Sequence, residues 1–248
     1  MTFFIDDTDK RNQTVKALFK EKNYLVAKNF DITAAKEDDV IIFAPNKKFT
    51  DDDLQKFPAE CTLVCGNIPQ NQGKILEDKH IKHINVLQDE VFAMQNSRLT
   101  AEGVLAEVLQ NSQNSIFENK ILILGNGRVG KATGALLAKL GADFSICSHD
   151  PKNFAITYLF SQKNYFKNNF LKELNNFDVI INTIPAKIIP KDMYSNIKKD
   201  CLFLEIGSVK TIVGDVKFVY KLCPALPQKY SALTAGKYLF ECIERMLK

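Results

Sequence analysis

The run Lys120-Ile-Leu-Ile-Leu-Gly125-Asn126-Gly127-Arg128-Val129-Gly130 constrains this chain more than any other segment. A short apolar stretch feeds a glycine-rich turn, and the turn opens directly into an amphipathic pattern, so a buried strand, a tight loop and a helix must follow one another. Each glycine has its own task. Gly125 permits the turn, Gly127 leaves no side chain where a pyrophosphate would approach, and Gly130 allows helix and strand to pack closely. Backbone N–H groups and the positive end of the helix dipole then face an anion. The motif, with Asn126, Arg128 and Val129 between its glycines, is expected to hold a dinucleotide.

The surrounding pattern is βα throughout, with no internal repeat. Strands are expected at Thr2–Ile5, Val40–Ala44 and Thr62–Cys65, with helices at Arg11–Lys22 and Asp51–Phe57. Asn85–Phe92 stays ambiguous, and Thr100 is expected to cap a helix from Ala101 to about Ser112 with Glu102 in its first turn. From Lys120 the rhythm is strand 120–124, helix 128–140, strand Asp143–Cys147, helix Phe154–Phe160, and a further helix near Phe170–Asn175. Strand Asp178–Asn182, helix 190–197, strand Cys201–Ile206 ending at Gly207-Ser208, strand Lys217–Tyr220 and helix Thr234–Leu247 complete it. The fold class is therefore α/β: a Rossmann-type doubly wound parallel sheet plus a smaller N-terminal flavodoxin-like domain, with a cleft between them. The expected division is an N-terminal substrate or partner domain (1–98), an interdomain helix and linker (99–118) and a dinucleotide domain (119–233). Helix 234–248 is expected to pack back on the first domain.

Composition excludes several classes. With 46% hydrophobic and 25% charged residues, the chain reads as a soluble globular protein. A net charge of +4, dispersed along the sequence, argues against nucleic acid and membrane surfaces. The start, Met1 to Asp9, has no signal-peptide pattern, and nothing approaches the ~20 apolar residues of a membrane span. Six cysteines lie mostly in apolar runs without zinc or disulfide spacing, so reduced thiols in a cytoplasmic protein are expected. His80 and His83 could share a helix face but have no third ligand nearby, so no metal site is expected.

Strand ends carry the other candidates. The second strand of the nucleotide domain ends at Cys147-Ser148-His149-Asp150-Pro151-Lys152, where an NAD enzyme normally has an acid for the ribose 2′-hydroxyl. Ser148, His149 and Lys152 suit a 2′-phosphate, which favours NADP. Asp150 leaves NAD open, and a plain polar loop is the alternative. Asn182-Thr183-Ile184-Pro185 stands where the nicotinamide half should lie, although a cap-and-turn signal reads the same way. Glu205 near a buried strand end is either a proton acceptor with a perturbed pKa or a salt-bridge partner. Arg11, Lys210 and Lys229 follow strand ends or turns and could meet an anion or lie solvated at the surface.

Taken together, several motifs resemble the A subunit of dipicolinate synthase. Asp9-Lys-Arg11 is similar to that family's Gly-Gly-Asp-x-Arg, and Asn96-Ser-Arg-Leu-Thr100-Ala-Glu102-Gly103 to its Asn-x-x-Pro-Thr-Ala-Glu-Gly. Gly125-Asn-Gly127-Arg128-Val-Gly130, Asn182-Thr-Ile-Pro185-Ala186, Pro224-Ala-Leu226-Pro227-Gln-Lys229 and Thr234-Ala-Gly236 follow in the family's order. The resemblance implies NADP-linked oxidation of a dihydro- or hydroxytetrahydro-dipicolinate to dipicolinate during spore formation, beside a flavoprotein-like second subunit in a homo- or hetero-oligomer. It implies Arg11 and Lys229 as groups for the dicarboxylate, and Thr100, Glu102, Asn182 and Thr183 as the catalytic set. Asp7-Thr8, Leu99, Ala225, Gln228 and Ser208-Val-Lys210 depart from the family pattern on the substrate side. A catalytically inactive dinucleotide-binding subunit, or a shikimate- or hydroxyacid-dehydrogenase-like enzyme for another small carboxylate, are the other readings.

Overall fold

The computed structural model describes residues 1–161, 163–207 and 209–248; Ser208, at the expected end of one strand motif, lies outside the described residues. The chain divides into two compact units, Met1–Asn96 with Pro227–Lys248, and Ser97–Leu226.

The first unit begins with β1 (Phe3–Ile5) and α1 (Lys10–Glu21), whose N-cap Asp9 accepts the Arg11 N–H at 2.8 Å. β2 (Val40–Ile42) follows, then α2 (Asp51–Gln55), started by a capping box between Thr50 and Asp53 with three acids in its first turn. Those acids sit at the positive end of the helix dipole, as the sequence leads one to expect. β3 (Thr62–Cys65), α3 (Gln70–Asp78) and β4 (Lys82–Asn85) close the series. The sheet is parallel in the order β1-β2-β3-β4, and Val26 bridges to Phe3 on the far side of β1. The winding therefore reverses between β1 and β2, which is the switch point of a flavodoxin-like sheet.

Two expectations change. His80 lies in the turn after α3 with φ +52°, and His83 lies on β4, so the two share no helix face. Thr100 does not cap a helix: α4 runs unbroken from Glu90 to Asn111 and Thr100 is buried within it. Its start is set instead by Asp89, whose carboxylate accepts the Phe92 N–H at 2.6 Å. Buried Phe92, Ala93, Leu99, Val104 and Val108 then carry the helix past Thr100, and Glu102 stands exposed on it.

In the second unit β5 (Ile121–Leu124), α5 (Arg128–Leu140), β6 (Phe144–Ser148), α6 (Pro151–Thr157) and β7 (Tyr165–Phe166) wind one way. β8 (Val179–Asn182), β9 (Leu202–Glu205) and β10 (Val219–Leu222) wind the other, giving the parallel order β10-β9-β8-β5-β6-β7. β5, β6, β8 and β9 are buried at every position, as strands covered on both faces must be, and their apolar runs reflect it. The helices expected near Phe170–Asn175 and at 190–197 are 3-10 segments, Lys167–Asn176 and Lys191–Asn196. These short, polar stretches follow Phe166 and Pro190 without a side-chain cap.

A short α7 (Leu226–Tyr230) leads into α8 (Ala232–Leu247), which packs on α1 in the first unit. A Cβ on Gly236 would lie 2.5 Å from the Arg11 carbonyl and from Thr14 Cβ, so only glycine permits this approach of the two helices. Phe19 meets Phe240 edge-on at 5.0 Å, a favourable ring geometry. All six cysteines are buried thiols, and burial pushes Cys65, Cys147, Cys201 and Cys242 up to about 12. Among the described residues no helix is long and apolar enough to cross a membrane.

Candidate functional site

The site grows from the carboxyl edge of the second sheet. β5 ends at Leu124, and Gly125 turns the chain at φ +101°, a conformation that favours glycine. A Cβ there would also lie 2.5 Å from Thr183 Oγ1 and 2.8 Å from Ile184 Cγ1, so the turn rests directly on the segment that follows β8. Gly125 is tied to β6 through its N–H to the Cys147 carbonyl at 3.0 Å, and Thr183 Oγ1 donates to the Leu124 carbonyl at 2.8 Å. A Cβ on Gly130 would collide with the Gly125 carbonyl oxygen, which makes glycine obligatory where α5 crosses the turn.

Gly127 differs from both. It is the N-cap of α5, with φ −75° and ψ −164°, and no side chain caps the helix there. A Cβ on it would meet nothing within 4 Å among the described residues. The space beside the helix N-terminus is therefore open. Beside it, Asn126 is buried: its Nδ2 donates to the Asn153 carbonyl at 2.6 Å, and its Oδ1 has no partner among the described residues. An uncapped helix start, open space at a bare Cα and an orphaned buried oxygen occur within three residues. The free N–H groups and the open space fit the diphosphate of a dinucleotide, and the Asn126 oxygen, an acceptor, fits a hydroxyl donor such as a ribose would bring.

At the end of β6, Ser148 is buried and its hydroxyl donates to the Asp150 carbonyl at 3.3 Å. Asp150 is the N-cap of α6 and its carboxylate accepts the Asn153 N–H at 2.7 Å. The acid is thus engaged with its own helix, while His149 and Lys152 are exposed beside it.

The ends of β8 and β9 are linked. Leu124, Asn182 and Glu205 stand in one row across β5, β8 and β9. Asn182 is fully buried and its amide is occupied: Nδ2 donates to Glu205 Oε1 at 2.8 Å, Thr211 Oγ1 at 3.1 Å and the Ile184 carbonyl at 3.1 Å, and Oδ1 accepts the Ile184 N–H at 3.0 Å. In this arrangement the Asn182 amide braces its own loop. Glu205, also fully buried, accepts the Thr211 hydroxyl and, at 3.2 Å, the Thr211 N–H. Burial pushes its pKa up, against the pull of Thr211 and Asn182. Thr183 and Ile184 are half-buried and Pro185 is exposed.

In the first unit Arg11 is buried and forked onto Asp9, with Nε to Oδ1 at 2.9 Å and Nη2 to Oδ2 at 2.7 Å, and it also donates to Asn46. The guanidinium is thus held by a carboxylate of its own chain through Nε and Nη2. Exposed cations at the switch point include Lys47 and Lys48. They line a concavity of about 290 Å³ with Asp6, Thr8, Asn46 and Gln228. Lys229 is exposed, its Nζ 4.8 Å from the Tyr230 ring centroid.

No protein-family model matches the chain. The A subunit of dipicolinate synthase from Bacillus subtilis is 24% identical over 202 residues, covering 79% of this chain and 68% of that protein. This chain is similar in sequence to a dipicolinate synthase A subunit. The crystal structure of the corresponding A subunit from Bacillus halodurans superposes with a TM-score of 0.82 at 19% identity, covering 99% of this chain and 96% of that one. A transhydrogenase from Sinorhizobium meliloti shares the fold with a TM-score of 0.75 at 13% identity, over 100% of this chain and 93% of that one.

Against the dipicolinate synthase motifs, the structure brings together Gly125, Gly130, Thr183 and Ile184 in one packed turn, and it buries Asn182 and Arg11 beneath their own partners. Thr211, Asn153, Lys47 and Lys48 were not singled out from the sequence. Thr211 had a readable signal, since a buried acid such as Glu205 requires donors close in the chain. Lys47 and Lys48 had one too, because they follow a strand at which the sheet reverses its winding.

Proposed function

We propose that this chain binds NADP, in preference to NAD, on the turn after β5, and oxidises dihydro- or hydroxytetrahydro-dipicolinate to dipicolinate as the A subunit of a dipicolinate synthase. One observation carries the reading: Gly127 opens onto empty space at an uncapped helix start, while Gly125 and Gly130 are sterically locked. Residues 127–130 would hold the diphosphate through backbone N–H groups, with Asn126, Arg128 and Val129 around it. His149 and Lys152, both exposed at the end of β6, would meet a 2′-phosphate, beside Asp150, whose Oδ1 caps α6. Thr183, Ile184 and Pro185 would bound the nicotinamide half. When bound, the cofactor supplies the hydride acceptor.

From a dihydro substrate the reaction removes one hydride and one ring proton; a hydroxytetrahydro substrate loses water as well. The chain's part is to hold a dicarboxylate and to receive a proton. Lys47 and Lys48 supply exposed positive charge for the carboxylates at the switch point of the first unit, and Lys229 supplies more. Arg11, fixed by Asp9 and Asn46, keeps that edge rigid. Exposed Glu102 is the motif-matched group for the proton. A cytoplasmic place and a flavoprotein-like partner belong to the same reading.

A second reading, an inactive dinucleotide-binding subunit, is favoured by the burial of Asn182 and Arg11. A coupled assay separates the two. Aspartate semialdehyde, pyruvate and the upstream aldolase are supplied with this chain and NADP⁺, with and without the flavoprotein-like partner, and dipicolinate is followed by its absorbance. Product is expected with NADP⁺. Nucleotide binding with no product from either cofactor supports the inactive form.

A further inference from the structure

In the order β9-β8-β5-β6, the glycine turn after β5 stands between the end of β6 and the ends of β8 and β9. A dinucleotide with its diphosphate on that turn extends one half toward β6, where the adenosine ribose is read, and the other toward β8 and β9. The second half must rest on whatever fixes those two strand ends. Glu205 fixes them. Its Oε1 takes Asn182 Nδ2 from β8, and its Oε2 takes both the N–H and the hydroxyl of Thr211. Asn182 in turn pins both the N–H and the carbonyl of Ile184. Ile184 and Thr183 are the surface against which Gly125 packs. The chain of contacts Thr211–Glu205–Asn182–Ile184–Gly125 joins the loop after β9 to the glycine turn through groups that are mostly buried.

We propose that Glu205 is a positioning residue for the nicotinamide half of the dinucleotide, acting through Asn182 on the segment Thr183–Pro185. The inference rests on the cofactor reading above and goes beyond it, since Glu205 itself touches no ligand: it is fully buried. It is therefore not the proton acceptor that its place in the sequence invites. Two carboxylate oxygens serve three donors. An amide at this position keeps one acceptor and turns an N–H toward a donor, so Glu205→Gln, almost identical in volume, must release either Thr211 or Asn182.

The test compares two ligands on the intact chain by calorimetry: NADPH, and 2′-phospho-ADP-ribose, which lacks the nicotinamide. Glu205→Gln is expected to weaken NADPH by about tenfold, the scale of one buried donor left unpaired, and to leave 2′-phospho-ADP-ribose unchanged. Thr211→Val is expected to act in the same direction, and Thr211→Ser to restore NADPH affinity. Should Glu205→Gln fail to fold by circular dichroism, the Thr211 pair carries the test. Equal weakening of both ligands, or no change in either, overturns the proposal, because a general structural role has no preference for one half. Wild-type protein that binds neither ligand overturns the cofactor reading itself.

Discussion

Gly127→Val is expected to fold like the parent and to lose NADP binding by at least about 100-fold, a cost of roughly 3 kcal/mol. Both halves of that result come from the same position. Valine is allowed at φ −75° and ψ −164°, and its Cβ meets nothing within 4 Å among the described residues. The protein loses only a favourable N-cap residue, an effect of about 1 kcal/mol or less. The space that the isopropyl group fills is the space proposed for the diphosphate. Calorimetric titration with NADP⁺ and NADPH, beside a thermal melt, checks both. A variant that folds and binds like the parent places the nucleotide elsewhere.

Three residues on, the expectation reverses. Gly130→Ala replaces a poor helix former by the best one inside α5, which by propensity alone would stabilise the helix by about 1 kcal/mol. The added methyl group instead collides with the Gly125 carbonyl oxygen, a backbone atom that cannot rotate away. Either α5 or the turn must shift, and overpacking of that kind costs about 3 kcal/mol. The melting temperature is expected to fall by roughly 10 °C, with weaker nucleotide binding as the turn distorts. An unchanged or higher melting temperature would show that helix and strand are not in contact at this point. The two substitutions thus separate a glycine needed by the ligand from a glycine needed by the fold.

How legible the chain was depended on whether local chemistry or distant partners set each feature. The β5–turn–α5 unit was legible because all its constraints lie within eleven residues, and Thr62–Cys65 because a short β-forming run with three buried apolar residues has few alternatives. β4 was not read as a strand: its sequence Lys-His-Ile-Asn is half exposed at a sheet edge and lacks an apolar pattern. α3 was missed because Gln-Asn-Gln-Gly opens it without a side-chain cap. Thr100 looked like a cap since Thr-Ala-Glu is a common helix start, yet Asp89 had already begun the helix eleven residues earlier. The cause is tertiary: the buried side chains of α4 extend the helix across a local signal that would otherwise have started one.

The site divided in the same way. Gly125 and Gly130 declare in sequence that they exclude a side chain, because a tight turn and a close helix crossing follow from the local motif. Asn182, Arg11 and Glu205 were recognised as unusual, but their partners were not. Arg11 meets Asn46, 35 residues away, and Asn182 meets Glu205 and Thr211, 23 and 29 residues away. Polar residues at strand ends look alike in sequence whether they face a ligand or brace one another.

The most direct measurement is a crystal structure of the chain grown with NADP⁺. The diphosphate is expected within about 3 Å of the backbone N–H groups of residues 127–130, the 2′-phosphate beside His149 and Lys152, and the nicotinamide toward Thr183–Pro185. Nucleotide bound away from the β5 turn, or a turn left empty at saturating NADP⁺, would contradict this placement.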